Sequence, residues 1–249
     1  MRSTYVQVTD RDIVIFRAMS LGVATLEMLV RLLAIYGYSL TEGSLVTRLS
    51  SLFRAHMILR RKVTLSQREG SFKIYALSPA GAKELAALAY PKGPIRTGLP
   101  HQLLTRHELK VTSVVHTLER ESKAGMYKYT YTDSDGLKRE RRRVHEPILD
   151  LLVTITMLNG KKHYGRIEVD LGTVPVHIMG KRLTYLSQTG SVTVLCASKT
   201  RQDILRDHCR QHHLNQVFFA GLDQFIAHGY SGTVFVSTTG EEVFLNLNS

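Results

Sequence analysis

Residues 45–78 read LVTRLSSLFRAHMILRRKVTLSQREGSFKIYALS, and their pattern decides the fold of the first part of the chain. Leu45, Leu49, Leu52 and Phe53 recur at helical spacing and form one apolar stripe. The opposite face carries Ser44, Thr47, Arg48, Ser51 and Arg54, small hydroxyls alternating with arginines and, beyond the cap region, no acid. A basic turn follows, Arg60-Arg61-Lys62, and residues 58–77 then alternate around Gly70 as a β-hairpin does. Helix, basic turn and hairpin in this order predict a winged helix-turn-helix, a fold that presents one helix to a DNA major groove. Ser44, Thr47, Arg48, Ser51 and Arg54 are the expected groove-facing residues. Arg60, Arg61, Lys62, Arg68 and Lys73 are the expected phosphate contacts along the hairpin.

Upstream, Thr9 with Asp12 three residues on resembles a capping box ahead of IVIFRAM. Thr25 can cap a second helix, LEMLVRLL, and Ser39 or Thr41 a third that starts near Gly43 or Ser44. Downstream, Ser78-Pro79 supplies a cap and a first-turn proline for PAGAKELAALA. Pro91-Lys92-Gly93-Pro94 is the clearest linker signal. The expected organisation is therefore a DNA-binding domain over 1–91, a linker over 92–100 and a second domain over 101–249.

The charge supports that division. The chain of 249 residues carries a net charge of +12. Residues 1–100 hold 14 Lys and Arg against 6 Asp and Glu, so the basic excess is densest around the hairpin. Two cysteines, Cys196 and Cys209, with no C-x-x-C pair, argue against a disulfide framework or a cysteine-built zinc site. No apolar leader opens the chain, and the longest apolar run, around Leu26–Tyr36, is interrupted by Arg31. A cytoplasmic protein without membrane contact is expected.

Beyond the linker, HQLLTRHELKVTSVVHTLERESKA reads as one amphipathic helix. The strands MYKYTYT, VHEPILDLLVTITML and HYGRIEVDLG follow, and then helices and strands alternate. That order predicts an α+β chain whose second domain is built on a mixed central sheet. Asp150 begins an apolar strand, and Glu168 and Asp170, two apart on the next strand, share a face. Converging carboxylates can hold Mg²⁺. The arrangement resembles the PD-(D/E)xK nuclease core, with Glu146 a possible further ligand. Asp170, however, occupies the position of that motif's lysine, leaving Lys181 or Arg182 as displaced cations. A metal-dependent nuclease using Asp150, Glu168, Asp170, Lys181 and Mg²⁺ is therefore the alternative reading, and structural carboxylates the favoured one.

Smaller signals are LKRERRR at 137–143, the cluster His208, Cys209, His212 and His213, and the alternating Tyr127, Tyr129 and Tyr131. LKRERRR reads equally as a stretch that binds phosphates or an acidic partner and as a solvated strand; a polar helix face and a half-buried strand are favoured for the other two over a zinc pair at His208 and His212 and base stacking.

The segments RLSSLFRAHMIL, YALSPAGAKELA, TRHELKVTSVVHTL, ILDLLVTI, IEVDLGTVPVHIMGKRLTY and VFFAGLDQF cover most of the chain in order. In these the chain resembles the replication-relaxation family of bacterial plasmids and integrative elements. The resemblance implies a winged-helix head, a restriction-endonuclease-like second domain and a DNA-related role on mobile elements. Taken together, a sequence-specific double-stranded DNA-binding protein is expected, a transcriptional regulator or a mobile-element replication or maintenance factor. It would act as a homo-oligomer, because one winged helix reads only a short site, and it would need no cofactor.

Overall fold

The computed structural model describes residues 6–66, 70–88, 93–134, 137 and 147–243. The chain is α+β and divides into two compact units, Met1–His116 and Thr117–Ser249. Among the described residues no helix is long and apolar enough to cross a membrane.

The first unit runs α1 (Asp10–Ser20), β1 (Ala24–Thr25), α2 (Leu26–Ile35), α3 (Glu42–Arg54), β2 (Ile58–Ser66), β3 (Gly70–Leu77) and α4 (Pro79–Leu88). It closes with the first part of α5 (Thr105–Lys123). The helix starts follow the capping hydroxyls. Thr25 Oγ1 accepts from Met28 N at 3.3 Å, and Thr41 Oγ1 from Ser44 N at 3.3 Å. Ser78 Oγ accepts from Gly81 N at 3.1 Å. On α3 the buried residues are Leu45, Leu49 and Leu52, packed with Phe16, Leu29, Leu33 and Ile58 of the neighbouring elements. Each such side chain stabilises the unit by roughly 1.5–3 kcal/mol relative to exposure.

Strands β1, β3 and β2 form an antiparallel sheet in that order. Its two faces have different tasks. Ile58, Tyr75 and Leu77 turn towards the helices α1–α4, and Val63, Ile74 and Ala76 pack with Val23 and Leu109 of α5.

The segment expected to be a linker is instead tied down where it is described. Ile95 packs against the main core, Arg96 N donates to Ser20 O at 3.1 Å and Gly98 N to Leu77 O at 3.0 Å. The Arg96 guanidinium also pairs with Glu108 of α5. The division between units therefore falls within α5, between His116 and Thr117, and not at 92–100. Pro and Gly in the sequence could not show that the described part of this segment finds backbone partners.

The second unit is built on seven strands in the order β10-β9-β8-β7-β6-β5-β4. These are β4 (Tyr127–Asp133), β5 (Leu151–Met157), β6 (Lys162–Asp170), β7 (Val192–Cys196), β8 (Val217–Gly221), β9 (Phe235–Ser237) and β10 (Glu242–Val243). The pairs β6–β7 and β7–β8 are parallel and the other four antiparallel, so the sheet is mixed as expected. Helices α6 (Val176–Ser187) and α7 (Lys199–Gln211) make the crossovers between the parallel strands, and α8 (Leu222–His228) follows β8. Val192, Val194, Cys196, Val217 and Phe219 line the face that packs with Leu183 and Leu186 of α6 and Leu205 of α7. On β4, Tyr127, Tyr129 and Tyr131 are buried. Tyr127 Oη donates to Glu121 Oε2 at 2.7 Å and Tyr129 Oη to Glu119 Oε2 at 2.6 Å. These tyrosines bind the end of α5 to the sheet, as the half-buried reading of that strand implies.

Candidate functional site

In the first unit, α3 starts at Glu42, whose carboxylate sits in the first turn, where the helix dipole favours a negative charge. Ser44, Thr47 and Arg54 are exposed, and Ser51 is half-buried. Their polar atoms stay close to the helix. Thr47 Oγ1 donates to Gly43 O at 3.0 Å, Ser51 Oγ to Thr47 O at 3.2 Å and Arg54 Nε to Ser50 O at 3.4 Å.

Arg48 is placed differently from expectation. Its Nε donates to Asp12 Oδ1 at 2.8 Å, and Nη2 pairs with Asp12 Oδ2 and donates to Gln7 O at 2.8 Å. Asp12 is fully buried. Burial pushes its pKa up, but hydrogen bonds from Arg48 and Thr9 outweigh that and hold the carboxyl below its ordinary value. Thr9 N and Thr9 Oγ1 donate to the same carboxylate at 2.8 and 2.7 Å, so the expected capping box doubles as the acidic half of a clamp between α1 and α3. The sequence did hold the signal. Residues 45, 48, 49 and 52 are the i, i+3, i+4, i+7 positions of one stripe, which puts Arg48 on the buried side.

Strand period separates the hairpin cations in the same way. Arg60, Lys62 and Lys73 are exposed, with Lys62 and Lys73 directly opposite each other across the two strands. Arg60 lies over the Phe53 ring at 4.2 Å, fixing the hairpin base to the end of α3. Arg61 points to the other face, as a residue between Arg60 and Lys62 must. It donates to Pro100 O at 2.6 Å and Thr105 Oγ1 at 3.1 Å, so it ties β2 to the approach to α5 instead of standing ready for phosphate. Arg68 lies outside the described residues. Between the hairpin and the starts of α2 and α3 runs a cleft of about 720 Å³, bounded by Glu42, Val46, Lys62, Phe72 and Lys73.

In the second unit, Asp150, Glu168 and Asp170 are buried near one another, as their spacing suggested. Each has a partner inside the protein. Asp150 Oδ2 accepts from Val169 N at 2.8 Å. Arg182 of α6 pairs with Glu168 at 2.8 Å and also donates to Ile148 O. Arg201, in the first turn of α7, makes a two-point contact with Asp170 at 2.6 and 3.2 Å and donates to Val174 O. Burial and the neighbouring Asp150 carboxylate push the Glu168 pKa well above the ordinary value, against the pull of Arg182. Lys181 is exposed on α6, and it is its neighbour Arg182 that meets the acids. Among the described residues no group of three or more His, Cys, Asp and Glu is placed to hold a metal ion. Glu146 lies outside them. Through Arg182 and Arg201, Glu168 and Asp170 tie the crossover helices to the sheet.

The cysteines and histidines of the second unit resolve by packing. Cys196 and Cys209 are buried, and burial raises each thiol to about 12. The His208 and His212 rings sit 4.4 Å apart on α7. A Cβ at Gly180 would meet His208 Nε2 at 2.0 Å, so this glycine is what admits the imidazole against α6. Of LKRERRR only Leu137 is described, and it is buried in the core of the second unit.

No protein-family model and no curated protein matches the chain. Among solved structures, Bacillus subtilis PadR in complex with operator DNA aligns over 57% of this chain and 81% of that one. The identity is 16% and the TM-score 0.30, a likeness that carries no argument about fold or function.

Proposed function

We propose that the chain is a sequence-specific double-stranded DNA-binding protein whose first unit is a winged helix-turn-helix. The observation that carries this reading is the facing pair Lys62 and Lys73, exposed on the hairpin beside α3. Like charges placed directly across a sheet repel each other. A phosphate backbone relieves that repulsion and releases its own counterions. The helix next to them offers Ser44, Thr47, Ser51 and Arg54, side chains of a size that enters a major groove. Arg48 and Arg61 leave the contact set, and Arg60, Lys62 and Lys73 remain the phosphate-facing cations.

The second unit we read as a restriction-endonuclease-like domain whose carboxylates serve structure, and as the platform on which copies assemble. The replication-relaxation segments support a role in transcriptional regulation or in replication and maintenance of a mobile element. The deciding experiment is fluorescence anisotropy of labelled duplexes against salt concentration, combined with selection from a random duplex library. Affinity that falls linearly on logarithmic axes with salt, and a recovered motif with two spaced half-sites, support the reading. Absence of salt-dependent duplex affinity at low ionic strength overturns it. Sedimentation of the protein with and without the selected duplex tests assembly, and a strict monomer in both refutes the platform.

A further inference from the structure

Strands β4, β5 and β6 leave one face of the second unit's sheet open over two cross-strand rows. Lys128, Thr156 and Lys162 stand side by side in the first row, and Thr130, Thr154 and Tyr164 in the second. Lys128, Thr130, Lys162 and Tyr164 are exposed, and the two β5 threonines are half-buried. In the next row the face closes. Leu152 packs into the core beneath α6, and Arg166 donates to Leu186 O at 2.7 Å at the end of that helix. Tyr164 is 70% exposed, and among the described residues its side chain makes no ring contact and no hydrogen bond. Its neighbours across the strands are threonines, so a flat ring stands uncovered beside short side chains. Lysines on outer strands ordinarily keep other chains from pairing with a sheet. An uncovered aromatic ring invites association, so the two together point to a ligand that needs both.

We propose that this face binds single-stranded DNA, with a base stacked on Tyr164 and neighbouring phosphates held by Lys128 and Lys162. Neither row contains an acid, and among the described residues neither lysine forms an ion pair. The face is therefore complementary to a polyanion. The two lysines lie about 10 Å apart, two strand spacings, and Tyr164 lies about 7 Å along β6 from Lys162. Stacking and charge contacts thus reach neighbouring nucleotides of one strand. A single strand is required because the bases of a duplex stack on one another and offer no face to a tyrosine. A protein partner fits less well, since hydroxyls and ammonium groups surround the ring where the centre of a protein interface is apolar. The choice of DNA over RNA alone rests on the duplex-binding reading of the first unit, because a duplex-binding protein meets single strands of DNA where the duplex opens.

The test is fluorescence anisotropy of the full chain with labelled oligo(dT) of about 12 nucleotides, within the site size of small single-strand-binding domains. Oligo(U) of the same length and a duplex are the comparison probes. Tyr164→Thr, which repeats the neighbouring residue type, is expected to lower oligo(dT) affinity at least about tenfold, and Tyr164→Phe, which keeps the ring, by no more than about twofold. The Lys128→Ala/Lys162→Ala double variant is expected to reduce the slope of log affinity against log salt by about 1.4. The hairpin variant Lys62→Ala/Lys73→Ala is expected to lose duplex affinity and keep oligo(dT) affinity, so the two sites are read separately. Oligo(dT) binding that depends on Tyr164 in a chain that binds no duplex upholds the face and overturns only the duplex reading. Failure of oligo(dT) to bind at low salt overturns the proposal, as does unchanged affinity in Tyr164→Thr or an unchanged salt slope in the lysine variant. Tighter binding of oligo(U) than of oligo(dT) overturns the assignment to DNA. Loss of self-association in Tyr164→Thr, followed by sedimentation, gives the face to a second copy of the chain and overturns it as well.

Discussion

The two units treat charge in opposite ways. On the hairpin of the first, Arg60, Lys62 and Lys73 stand exposed, and no ion pair to an acid is formed by them among the described residues. On the sheet of the second, Glu168 and Asp170 are buried and each is met by an arginine from a crossover helix. Charge left facing solvent without an acidic partner is available to a ligand, and charge paired in the interior is spent on holding elements together. Arg48 shows that the distinction runs through single elements as well. It shares α3 with the exposed Thr47 and Arg54, yet belongs with Asp12 to the interior.

That contrast breaks most visibly if the pairs are removed. Arg201→Ala leaves Asp170 buried without its cation, and is expected to cost about 3–5 kcal/mol in urea denaturation. Arg48→Ala, which leaves Asp12 with the Thr9 donors but no cation, is expected to destabilise in the same direction and to weaken binding to every duplex through the fold. Lys62→Ala and Lys73→Ala should each stay within about 0.5 kcal/mol of the parent. Similar small losses at all four positions would erase the difference between the units.

The reverse pattern is expected on DNA. The Lys62→Ala/Lys73→Ala double variant should lower affinity for all duplexes and reduce the slope of log affinity against log salt by about two. An unchanged slope would remove the hairpin from the interface. Mg²⁺ or Mn²⁺ should leave a supercoiled plasmid uncut in the presence of the protein. Cleavage that Asp150→Ala abolishes would return the carboxylates to a catalytic role.

Acid should separate the two units as well. Asp12 has a lowered pKa, so its contribution is present above the unfolded value of about 3.9 and is lost as pH falls through the lower folded value. Glu168 has a raised pKa, so its contribution is present below about 4.3 and is lost as pH rises through the higher folded value. Melting followed separately in each unit should therefore show the second weakening as pH rises above the ordinary carboxylate range and the first weakening only as pH falls below it. Asp12→Asn and Glu168→Gln should flatten the respective limbs. The smallest effect concerns Cys196 and Cys209, whose thiols at about 12 should resist a thiol reagent at neutral pH until the chain unfolds.

Much of this architecture was legible in the sequence because burial repeats at fixed periods. The stripe of α3, the alternation of β4, the caps at Thr25, Thr41 and Ser78 and the order of strands and helices all follow from local pattern. Arg48 and Arg61 were misplaced although the same periods decide them, because basic residues near a groove-facing helix invite a single assignment. What stayed hidden depends on distance along the chain. Asp12 and Arg48 are 36 residues apart and Asp170 and Arg201 are 31 apart, and no spacing rule connects them. The open face around Tyr164 draws on three strands, so no single segment announces it.

The position of the unit division within α5 has a practical consequence for anyone dissecting the molecule. Leu109 completes the small cluster with Val23, Val63, Ile74 and Ala76, while Glu119 and Glu121, further along the same helix, accept the hydroxyls of Tyr129 and Tyr127. A cut at the Pro-Gly segment would hand the whole helix to the second fragment. The sheet of the first would then turn Val63 and Ile74, which Leu109 covers in the intact chain, to water. The first fragment keeps Leu109 over its sheet only if it is carried on towards His116, and the second keeps its tyrosine anchors only if it includes Glu119 and Glu121.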